Sequence, residues 1–481
     1  MAVEIMAGQI TISIWFFLFL VLISALAILD RIFIPSVRWF LRRRINRVID
    51  EIGSRLDIEI KPFQLTKRQV LVDRLAYDPK VIQAIQSYAQ TEDTPREVMQ
   101  AKVLRYAKEI VPSFNAYLYF RLGYWLAKKI ARRLYMVHVG LTDDVQLDTI
   151  DPDATVVFVM NHRSNMDYIL VAFLAAERTT LSYAVGEWAK IWPLQTLIKA
   201  MGAYFVRRRS GDPLYRLVLE RYVHMATKEG VCQAVFLEGG LSRNGQLQPP
   251  KLGLIDYMLR SFELEKDRDI IFIPVGINYD RTLEDRSLVR ALDPEAEKRS
   301  LWFVSKTTSW FIWRSIVLMV RSRWQRYGYA CVNFGPYVSA RQFCRQNRVN
   351  VSEIDRETRF VFVEKLCKQL MNSIEQVIPI LPVSLVAMVM LESVEQPLSA
   401  FDVEAHVHGL IDELEAQGAT VYVSRRSRAQ NILTALNTLR LRRLVIELDG
   451  LYRADPKHID ILSYYANAIV HWRQIPNQNI S

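Results

Sequence analysis

Four short apolar runs between residues 155 and 277 constrain the fold more than any other feature of this 481-residue chain. They are residues 155–160 (TVVFVM), 203–206 (AYFV), 232–237 (CQAVFL) and 269–277 (DIIFIPVGI). Runs of this length without polar alternation are typical of strands buried on both faces of a parallel sheet. Because longer helical stretches separate them, we predict an α/β layered domain with a mostly parallel sheet.

The polar motifs of the chain lie at or just after these runs. In open α/β sheets, binding sites form outside the carboxyl ends of the strands. We therefore expect the functional side chains to gather at one edge of the predicted sheet. The catalytic domain is predicted to span residues 141–290, and a C-terminal α/β region follows over residues 291–481.

The N-terminus carries a membrane-anchor signal. Residues 10–29 contain no charged residue and are long enough to cross a hydrocarbon core as a helix. We therefore predict a transmembrane anchor over residues 1–30. A cleaved signal peptide is the alternative, since the Ala-Leu-Ala at 25–27 resembles a cleavage site, but the leader contains Glu4 and no Lys or Arg.

Basic residues follow the predicted anchor. Six arginines lie between residues 31 and 47, and this excess of positive charge predicts a cytoplasmic location for the rest of the chain, at the inner membrane. Residues 31–140 are predicted to form a basic, helical, membrane-proximal region. Between Pro95 and Val137, aromatic residues alternate with Lys and Arg, which suits either an anionic bilayer surface or a helical hairpin packed on the next domain.

Composition limits the partners. The net charge of +11 and a pI near 9.4 indicate an anionic partner: nucleic acid, an anionic membrane or a phosphorylated substrate. No DNA- or RNA-binding motif accompanies the basic residues, so no nucleic acid is expected. The four cysteines form no CxxC pair, and His406 and His408 have no third ligand nearby in sequence, so no metal is expected.

The segment NHRSNMD (161–167) follows the first apolar run and supplies a candidate catalytic pair. His162 is predicted to lie in the turn before a helix and to fold back toward Asp167. A carboxylate that accepts from one imidazole nitrogen fixes the tautomer and leaves the other nitrogen free to take a proton. The pair is therefore a candidate general base with its orienting group. The alternative is a capping turn with a hydrogen-bonded core histidine.

Two later segments supply candidate binding groups. GAYFVRRRSG (202–211) places Arg207 and Arg208 directly after a predicted strand, where guanidinium groups suit phosphate oxygens, although a solvated basic loop has the same pattern. VFLEGGLSRNGQLQPPKLG (235–253) combines a strand-end carboxylate with two glycines that allow close backbone approach. Its candidate site residues are Glu238, Gly239, Gly240, Ser242, Arg243 and Lys251.

Through these motifs the chain resembles the glycerolipid acyltransferase family. Four sequence blocks carry the resemblance, in this order: His162 to Asp167, Gly202 to Arg208, Phe236 to Arg243, and Ile273-Pro274-Val275. In the fourth block, Pro274 has no backbone N–H to donate to a neighbouring strand, which predicts a position at a sheet edge or at a strand end. Later segments at 327–339, 377–391 and 463–472 also resemble the family, so the similarity covers roughly Met99 to Trp472.

The third block distinguishes acceptors within this family. Leu237 before Glu238, with Gly-Gly after it, resembles the membrane-bound bacterial glycerol-3-phosphate acyltransferase and its relatives that acylate dihydroxyacetone phosphate, rather than lysophosphatidate acyltransferases. Leu241 stands where the family usually has the first Arg of Glu-Gly-Gly-Arg-Ser-Arg, which removes a possible phosphate contact. The larger bacterial enzyme continues beyond the position of Trp472, so we expect regulation or anchoring to differ.

The resemblance implies glycerol-3-phosphate O-acyltransferase activity at the sn-1 hydroxyl, which gives lysophosphatidic acid for phospholipid synthesis. The acyl donor is acyl-CoA or acyl-acyl carrier protein, and no cofactor is implied. His162 is implied to deprotonate the acceptor, and Asp167 to stabilise the imidazolium. Acylation of dihydroxyacetone phosphate or a lysophospholipid, and a non-catalytic lipid-binding scaffold, are the alternatives.

The same resemblance implies roles for the binding groups. Glu238, with the Gly239-Gly240 backbone, is expected to order the acceptor or the arginines. The cationic residues are expected to hold the acceptor phosphate, and they are Arg207, Arg208, Arg243 and Lys251.

Overall fold

The computed structural model describes residues 62–91, 93–116, 118–141, 150–175, 180–186, 194–207, 210–293, 327–423 and 427–473. All of them belong to one compact unit, Ile60–Ser481. The predicted transmembrane anchor, the arginines that follow it and Arg208 lie outside the described residues. Within the described ranges, no helix combines the length and the apolar composition needed to cross a membrane.

A mostly parallel sheet forms the centre of the described structure, as the apolar runs predict. Its strands are β1 (Met136–Leu141), β2 (Thr155–Met160), β3 (Ser182–Gly186), β4 (Tyr204–Val206), β5 (Gln233–Phe236), β6 (Ile270–Tyr279), β7 (Tyr329–Phe334) and β8 (Val338–Ser339). Their order is β1-β7-β6-β2-β5-β3-β4, with β8 also paired to β6. The strand β6 runs antiparallel to β7 and β8, and the other neighbours are parallel.

Helices cover both faces of this sheet. Up to residue 290 the α-helices are α1 (Pro62–Leu65), α2 (Arg68–Ala76), α3 (Pro79–Thr91), α4 (Arg96–Ile110), α5 (Tyr124–Leu134), α6 (Met166–Ala175), α7 (Leu194–Ala200), α8 (Pro213–Lys228), α9 (Gly253–Leu259) and α10 (Asp285–Arg290). A π-helical turn, Leu118–Gly123, precedes α5. Successive residues of β2 point to opposite faces: Val159 packs in one hydrophobic cluster with α4 and α8, whereas Met160 packs in another with α5 and α6.

The C-terminal part of the chain builds a further hydrophobic cluster from Ile380 onward. Its helices are α11 (Ala340–Asn347), α12 (Arg356–Val377), α13 (Pro382–Glu392), α14 (Ala400–Ala416), α15 (Arg428–Leu441) and α16 (Ile459–Ala466). Its antiparallel sheet consists of β9 (Leu398–Ser399), β10 (Val445–Leu448) and β11 (Leu451–Ala454), in the order β10-β11-β9. Residues 382–390 of α13 are all buried, because α14, α15 and α16 surround this helix, which is apolar on every side.

The central sheet also takes strands from the C-terminal part. Strand β7 lies between β1 and β6, and α12 packs on β6. Residues on both sides of the predicted boundary at 290 therefore share one sheet. The four predicted domain ranges themselves stay predictions.

Pro274 does not lie at an edge or at a strand end, so that prediction is wrong. It is an interior residue of β6, in register with Val159 of β2. On its other side, the Gly335 N–H donates to the Pro274 carbonyl oxygen at 2.9 Å, in the interruption between β7 and β8. A proline is tolerated in this central strand because the neighbouring strand is broken where its missing donor would point.

Candidate active site

The carboxyl end of β2 leads directly into the predicted site. Asn161 follows this strand, and its Nδ2 donates to the Ile277 carbonyl oxygen of β6 at 2.9 Å. In return, the Ile277 N–H donates to Asn161 Oδ1 at 2.8 Å. The Asn161 side-chain amide therefore makes the two hydrogen bonds that the backbone of a neighbouring strand would make with Ile277. These bonds fix the start of the turn that carries His162.

The structure brings His162 and Asp167 together. His162 Nδ1 lies 2.9 Å from Asp167 Oδ2, and both side chains are buried. As predicted, His162 lies in the turn that precedes a helix, and α6 begins at Met166. With Nδ1 bound to the carboxylate, Nε2 is the ring nitrogen left to exchange a proton with a substrate.

Asp167 also organises the backbone of this turn. Its Oδ2 accepts from the N–H groups of Arg163 at 2.7 Å and Ser164 at 3.0 Å. Its Oδ1 accepts from the Tyr279 hydroxyl at 2.6 Å. Burial, and then the charge of Asp167, raise the pKa of Tyr279 well above its usual value, so this hydroxyl stays protonated and donates. Asp167 thus both accepts from the backbone of the turn and binds His162.

A second carboxylate holds the outer side of the same turn. Glu284 Oε2 accepts from the Ser164 hydroxyl at 2.8 Å, and its Oε1 accepts from Asn165 Nδ2 at 3.0 Å. Burial raises the pKa of Glu284. The turn is therefore fixed by Asp167, three to four residues away in sequence, and by Glu284, about 120 residues away.

Aromatic rings fix the plane of the imidazole. The Phe236 ring stacks on it with a centroid separation of 3.9 Å and an interplanar angle of 23°. The Tyr168 ring meets it edge-on at 5.3 Å and 86°. The ring has little freedom to rotate, because the carboxylate and two aromatic neighbours restrict it.

Glu238 binds the backbone of the turn rather than an arginine. Its Oε1 accepts from the His162 N–H at 2.7 Å, and its Oε2 accepts from the Gln248 N–H at 2.8 Å. Burial raises the pKa of Glu238 to about 7, although these two hydrogen bonds and the charge of Arg163 lower it. Glu238, which belongs to the third sequence block, therefore connects that block to the first one through the His162 N–H.

This raised pKa predicts how stability depends on pH. The fold favours the neutral form of Glu238, so its contribution to the free energy of unfolding is largest below pH 4.5 and declines as the pH rises toward about 7. A shift of this size corresponds to about 3 kcal/mol. We expect equilibrium denaturation at several pH values to show wild type losing stability relative to Glu238→Gln across this window. Parallel curves for the two proteins would contradict the raised pKa.

A cavity of about 670 Å³ lies beside His162. Its lining includes the cationic side chains of Arg207, Arg216 and Lys251. Its apolar lining includes Val185, Val206, Leu219, Val235, Phe236 and Leu254. One cavity thus offers the histidine both a cationic and an apolar surface.

Arg207 is held on this cavity by a carboxylate of α4. Its Nε donates to Glu109 Oε1 at 2.9 Å, and its Nη2 donates to Glu109 Oε2 at 2.6 Å. The guanidinium carbon also lies 4.7 Å from the Tyr215 ring centroid. The hydrogen bonds with Glu109 raise the pKa of Arg207, which remains a cation. Because Nε and Nη2 are both bound to Glu109, the planar guanidinium is fixed and so is the direction of its third nitrogen, Nη1.

The glycines after β5 bring the lysine to the cavity. Gly239 has φ of +68°, and an added Cβ there would lie 2.7 Å from Lys251 Cγ, so a larger residue would strain the backbone and meet this side chain. The Lys251 N–H donates to the Leu237 carbonyl oxygen at 2.8 Å. Gly239 and Lys251 both line the cavity, and Gly240 follows in the same turn.

Ser242 and Arg243 are placed differently from the other predicted binding residues. The Ser242 N–H donates to the His162 carbonyl oxygen at 2.9 Å, and its hydroxyl donates to the Gln246 carbonyl oxygen at 2.6 Å. Arg243 is exposed, and its Nη1 donates to the Ala291 carbonyl oxygen at 3.2 Å. Neither residue is part of the cavity lining, so of the described cationic candidates only Arg207 and Lys251 reach the cavity.

Several residues of the site were not among the predicted ones. Arg216 lies in α8 among ordinary helical residues, and no sequence signal distinguishes it. Tyr279 and Glu284 are 112 and 120 residues away from the groups that they bind. Arg163 lies inside the first sequence block, but the sequence does not show that its side chain is buried.

Two protein-family models match the chain. The model described as Acyltransferase matches residues 143–278, and the model described as Glycerol-3-phosphate acyltransferase C-terminal region matches residues 315–476. The first match contains His162, Asp167 and Glu238, and the second contains α11 to α16.

Several bacterial proteins named glycerol-3-phosphate acyltransferase are similar in sequence. The protein of Pseudomonas paraeruginosa is 26% identical over 455 residues, which is 90% of this chain and 52% of the relative. That of Pseudomonas putida strain W619 is 31% identical over 293 residues, which is 59% of this chain and 33% of the relative. The chain spans about half the length of the first of these relatives.

A solved structure shows a weaker likeness. The 1-acyl-sn-glycerophosphate (LPA) acyltransferase PlsC from Thermotoga maritima has a TM-score of 0.29 and 14% identity, over 63% of this chain and 97% of that one.

The chain therefore carries an acyltransferase domain, which defines its class. Its C-terminal part matches the model described as Glycerol-3-phosphate acyltransferase C-terminal region. The resemblance to the glycerolipid acyltransferases is confirmed by these matches and by the curated relatives.

Proposed function

We propose that this chain is a glycerol-3-phosphate O-acyltransferase, which transfers a fatty acyl group from an acyl thioester to the sn-1 hydroxyl and forms lysophosphatidic acid. The observation that carries the proposal is the placement of the His162–Asp167 pair on a cavity with both cationic and apolar lining. A phosphorylated acceptor and an acyl chain require these two surfaces beside one general base.

The reaction follows from the hydrogen bonds of the pair. His162 Nε2 takes the proton of the acceptor hydroxyl as that oxygen attacks the thioester carbonyl carbon. The tetrahedral intermediate collapses when the C–S bond breaks, and the imidazolium returns its proton to the leaving thiolate. Asp167 keeps Nδ1 protonated and stabilises the positive charge on the ring. No side-chain nucleophile is needed, because the acceptor supplies the attacking oxygen.

The cationic lining of the cavity suits the acceptor phosphate. Arg207 and Lys251 are two of the residues expected to bind it, and Arg216 adds a third positive charge. We propose that Arg207 binds a phosphate oxygen through Nη1, since Glu109 occupies Nε and Nη2. Glu109 would then position the guanidinium for the acceptor.

We expect Glu109→Gln to raise the KM for glycerol-3-phosphate roughly tenfold, because an amide cannot accept both guanidinium hydrogen bonds and Arg207 loses its fixed direction. The kcat and the KM for the acyl donor should change little. Steady-state kinetics with each substrate varied in turn measures all three. Glu97→Gln, an exposed change on the same helix, is the control. A lower acceptor KM would show instead that Glu109 competes with the phosphate.

The apolar lining suits the acyl group. Phe236 stacks on His162 and also lines the cavity, and Val206 and Leu254 extend the apolar surface. An acyl thioester bound there would bring its carbonyl carbon to the base, and burial of the chain would favour binding in proportion to the area removed from water.

Leu241 lies away from this cavity. It packs against the hydrophobic cluster of the C-terminal part and is not part of the cavity lining. The residue at the position of the family arginine is therefore a packing residue in this chain, and we expect it to make no contact with an acceptor bound in the cavity. Dihydroxyacetone phosphate or a lysophospholipid is the alternative acceptor.

We propose that the enzyme works at the inner membrane with its catalytic part in the cytoplasm and with acyl-CoA or acyl-acyl carrier protein as the donor. The helix α5 supports contact with anionic headgroups. Its Trp125 is 53% exposed, and Lys129 Nζ lies 4.7 Å from the Trp125 ring centroid. An exposed indole beside cations is typical of a membrane interface.

The proposal is tested by acyl transfer from labelled acyl-CoA and acyl-acyl carrier protein to glycerol-3-phosphate, dihydroxyacetone phosphate and lysophosphatidate in parallel. Product from glycerol-3-phosphate, with the acyl group at the sn-1 position, is expected. Product from a different acceptor alone would assign another substrate. Absence of product from every pair would favour the non-catalytic scaffold.

A further inference from the structure

The C-terminal helix α16 reaches the turn that carries His162. Tyr464, on this helix, is fully buried, and its hydroxyl donates to the Arg163 carbonyl oxygen at 3.2 Å. Just after the helix, Asn467 Nδ2 donates to the Asn244 carbonyl oxygen at 2.8 Å. These contacts join groups that are 301 and 223 residues apart. One short segment therefore contacts both the first sequence block and the residue that directly follows the third block.

The contact at Arg163 is coupled to Asp167 through a single peptide group. The Arg163 carbonyl and the Ser164 N–H belong to the same planar unit. Tyr464 donates to this carbonyl, and the N–H donates to Asp167 Oδ2 at 3.0 Å. Hydrogen bonds in such a chain polarise one another. Tyr464 therefore both orients and strengthens a donor to the carboxylate that holds His162.

The side chain of Arg163 rests on the Tyr464 ring. Its guanidinium carbon lies 4.7 Å from the ring centroid, and its Nη1 donates to the Gly245 carbonyl oxygen. Its Nε and Nη2 have no hydrogen-bond partner among the described residues. A buried cation with open donors is costly unless nearby groups stabilise it. The ring face supplies part of this stabilisation.

The loop that follows the third block packs directly on the backbone of α16. Gly245 has φ of +88°, and an added Cβ there would overlap the Tyr464 carbonyl oxygen. In the same loop, the Ser242 N–H donates to the His162 carbonyl oxygen at 2.9 Å. The helix is thus in contact with the catalytic turn itself and with a loop that binds this turn.

We infer that Tyr464 is a positioning residue for the His162–Asp167 pair, so that the C-terminal part completes the active site. This inference rests on the proposed acyltransferase function. Tyr464 is not part of the cavity lining, so it acts through the peptide group between Arg163 and Ser164 and not by contact with substrate.

The test uses the full chain with Tyr464→Phe, which keeps the ring under Arg163 and removes only the hydroxyl. Its matched control is Tyr465→Phe. The neighbouring tyrosine is equally buried and loses the same group, but its hydroxyl binds Asp285 and Arg442 instead of the catalytic turn.

We expect Tyr464→Phe to lower kcat roughly tenfold while the KM of each substrate stays within about twofold, since the base is displaced but the cavity is intact. Tyr465→Phe should keep a kcat close to that of wild type. In amide hydrogen exchange, peptides covering 161–167 should exchange faster in Tyr464→Phe only.

Two results would overturn the inference. Wild-type kcat and wild-type exchange in Tyr464→Phe would show that the hydroxyl does not position the turn. An equal loss of kcat in both variants would assign Tyr464 a role in stability alone. If wild type itself transfers no acyl group, the proposed function fails, and the exchange of 161–167 in the two variants still decides the positioning role.

Discussion

His162→Ala is expected to lower kcat about 10³-fold or more, with the protein still folded and still bound to membranes. The variant removes the group that takes the acceptor proton, and no other histidine lines the cavity beside it among the described residues. Without a base, the neutral hydroxyl must attack the thioester unaided. Transfer of a labelled acyl group to glycerol-3-phosphate measures the loss, and the dissociation constants of the two substrates should change little.

The control for this change is His406→Ala. His406 is exposed on α14 in the C-terminal part and does not contact the cavity. It should leave the rate unchanged. Near-normal turnover by purified His162→Ala would refute the assignment of the base.

Asp167→Asn is expected to lower kcat about 10²-fold to 10⁴-fold while the fold survives. The asparagine oxygen can still accept from His162 Nδ1 and the two backbone N–H groups, and its amide group can donate to the Tyr279 oxygen. The hydrogen bonds of the turn are therefore largely kept, but the negative charge that stabilises the imidazolium is lost.

The kinetic signature separates this loss of charge from a loss of structure. The melting temperature and the acceptor KM of Asp167→Asn should stay close to the wild-type values, whereas kcat falls. Asp167→Ala removes the acceptors as well and should lower the melting temperature too, because it leaves the buried N–H groups of Arg163 and Ser164 without their partner. A kcat of Asp167→Asn within a factor of three of wild type would contradict the role of the charge.

The central sheet was predictable because most residues of its core strands are apolar. The runs around Val157, Phe205, Val235 and Ile273 all form strands of one mostly parallel sheet. The strand β3 was missed, because Ser182–Gly186 mixes polar and small residues and its Ser182 binds the Gly202 carbonyl oxygen. Apolar runs indicate burial but not direction, so the antiparallel pairing of β6 with β7 could not be predicted.

The His162–Asp167 contact was also predictable, since five residues of chain across a turn bring the two groups together. The partners of that turn were not, because Tyr279, Glu284 and Tyr464 come from distant parts of the chain. Their contacts depend on tertiary packing, which leaves no local pattern.

The predicted set of binding residues is divided by the structure. Arg207 and Lys251 reach the cavity because a strand end and a glycine turn direct them there, whereas Arg243 extends toward Ala291. Sequence spacing cannot distinguish a cation that faces the cavity from one that faces a neighbouring loop. The role of each residue in binding the acceptor stays a prediction.

The most direct test of the account is the conversion of labelled sn-glycerol 3-phosphate into solvent-extractable lysophosphatidic acid by the purified wild-type chain in lipid vesicles with an acyl thioester. We predict product that depends on the thioester, appears together with one free thiol per acyl group, and is absent with His162→Ala. No extractable product from wild type with either donor would contradict the account.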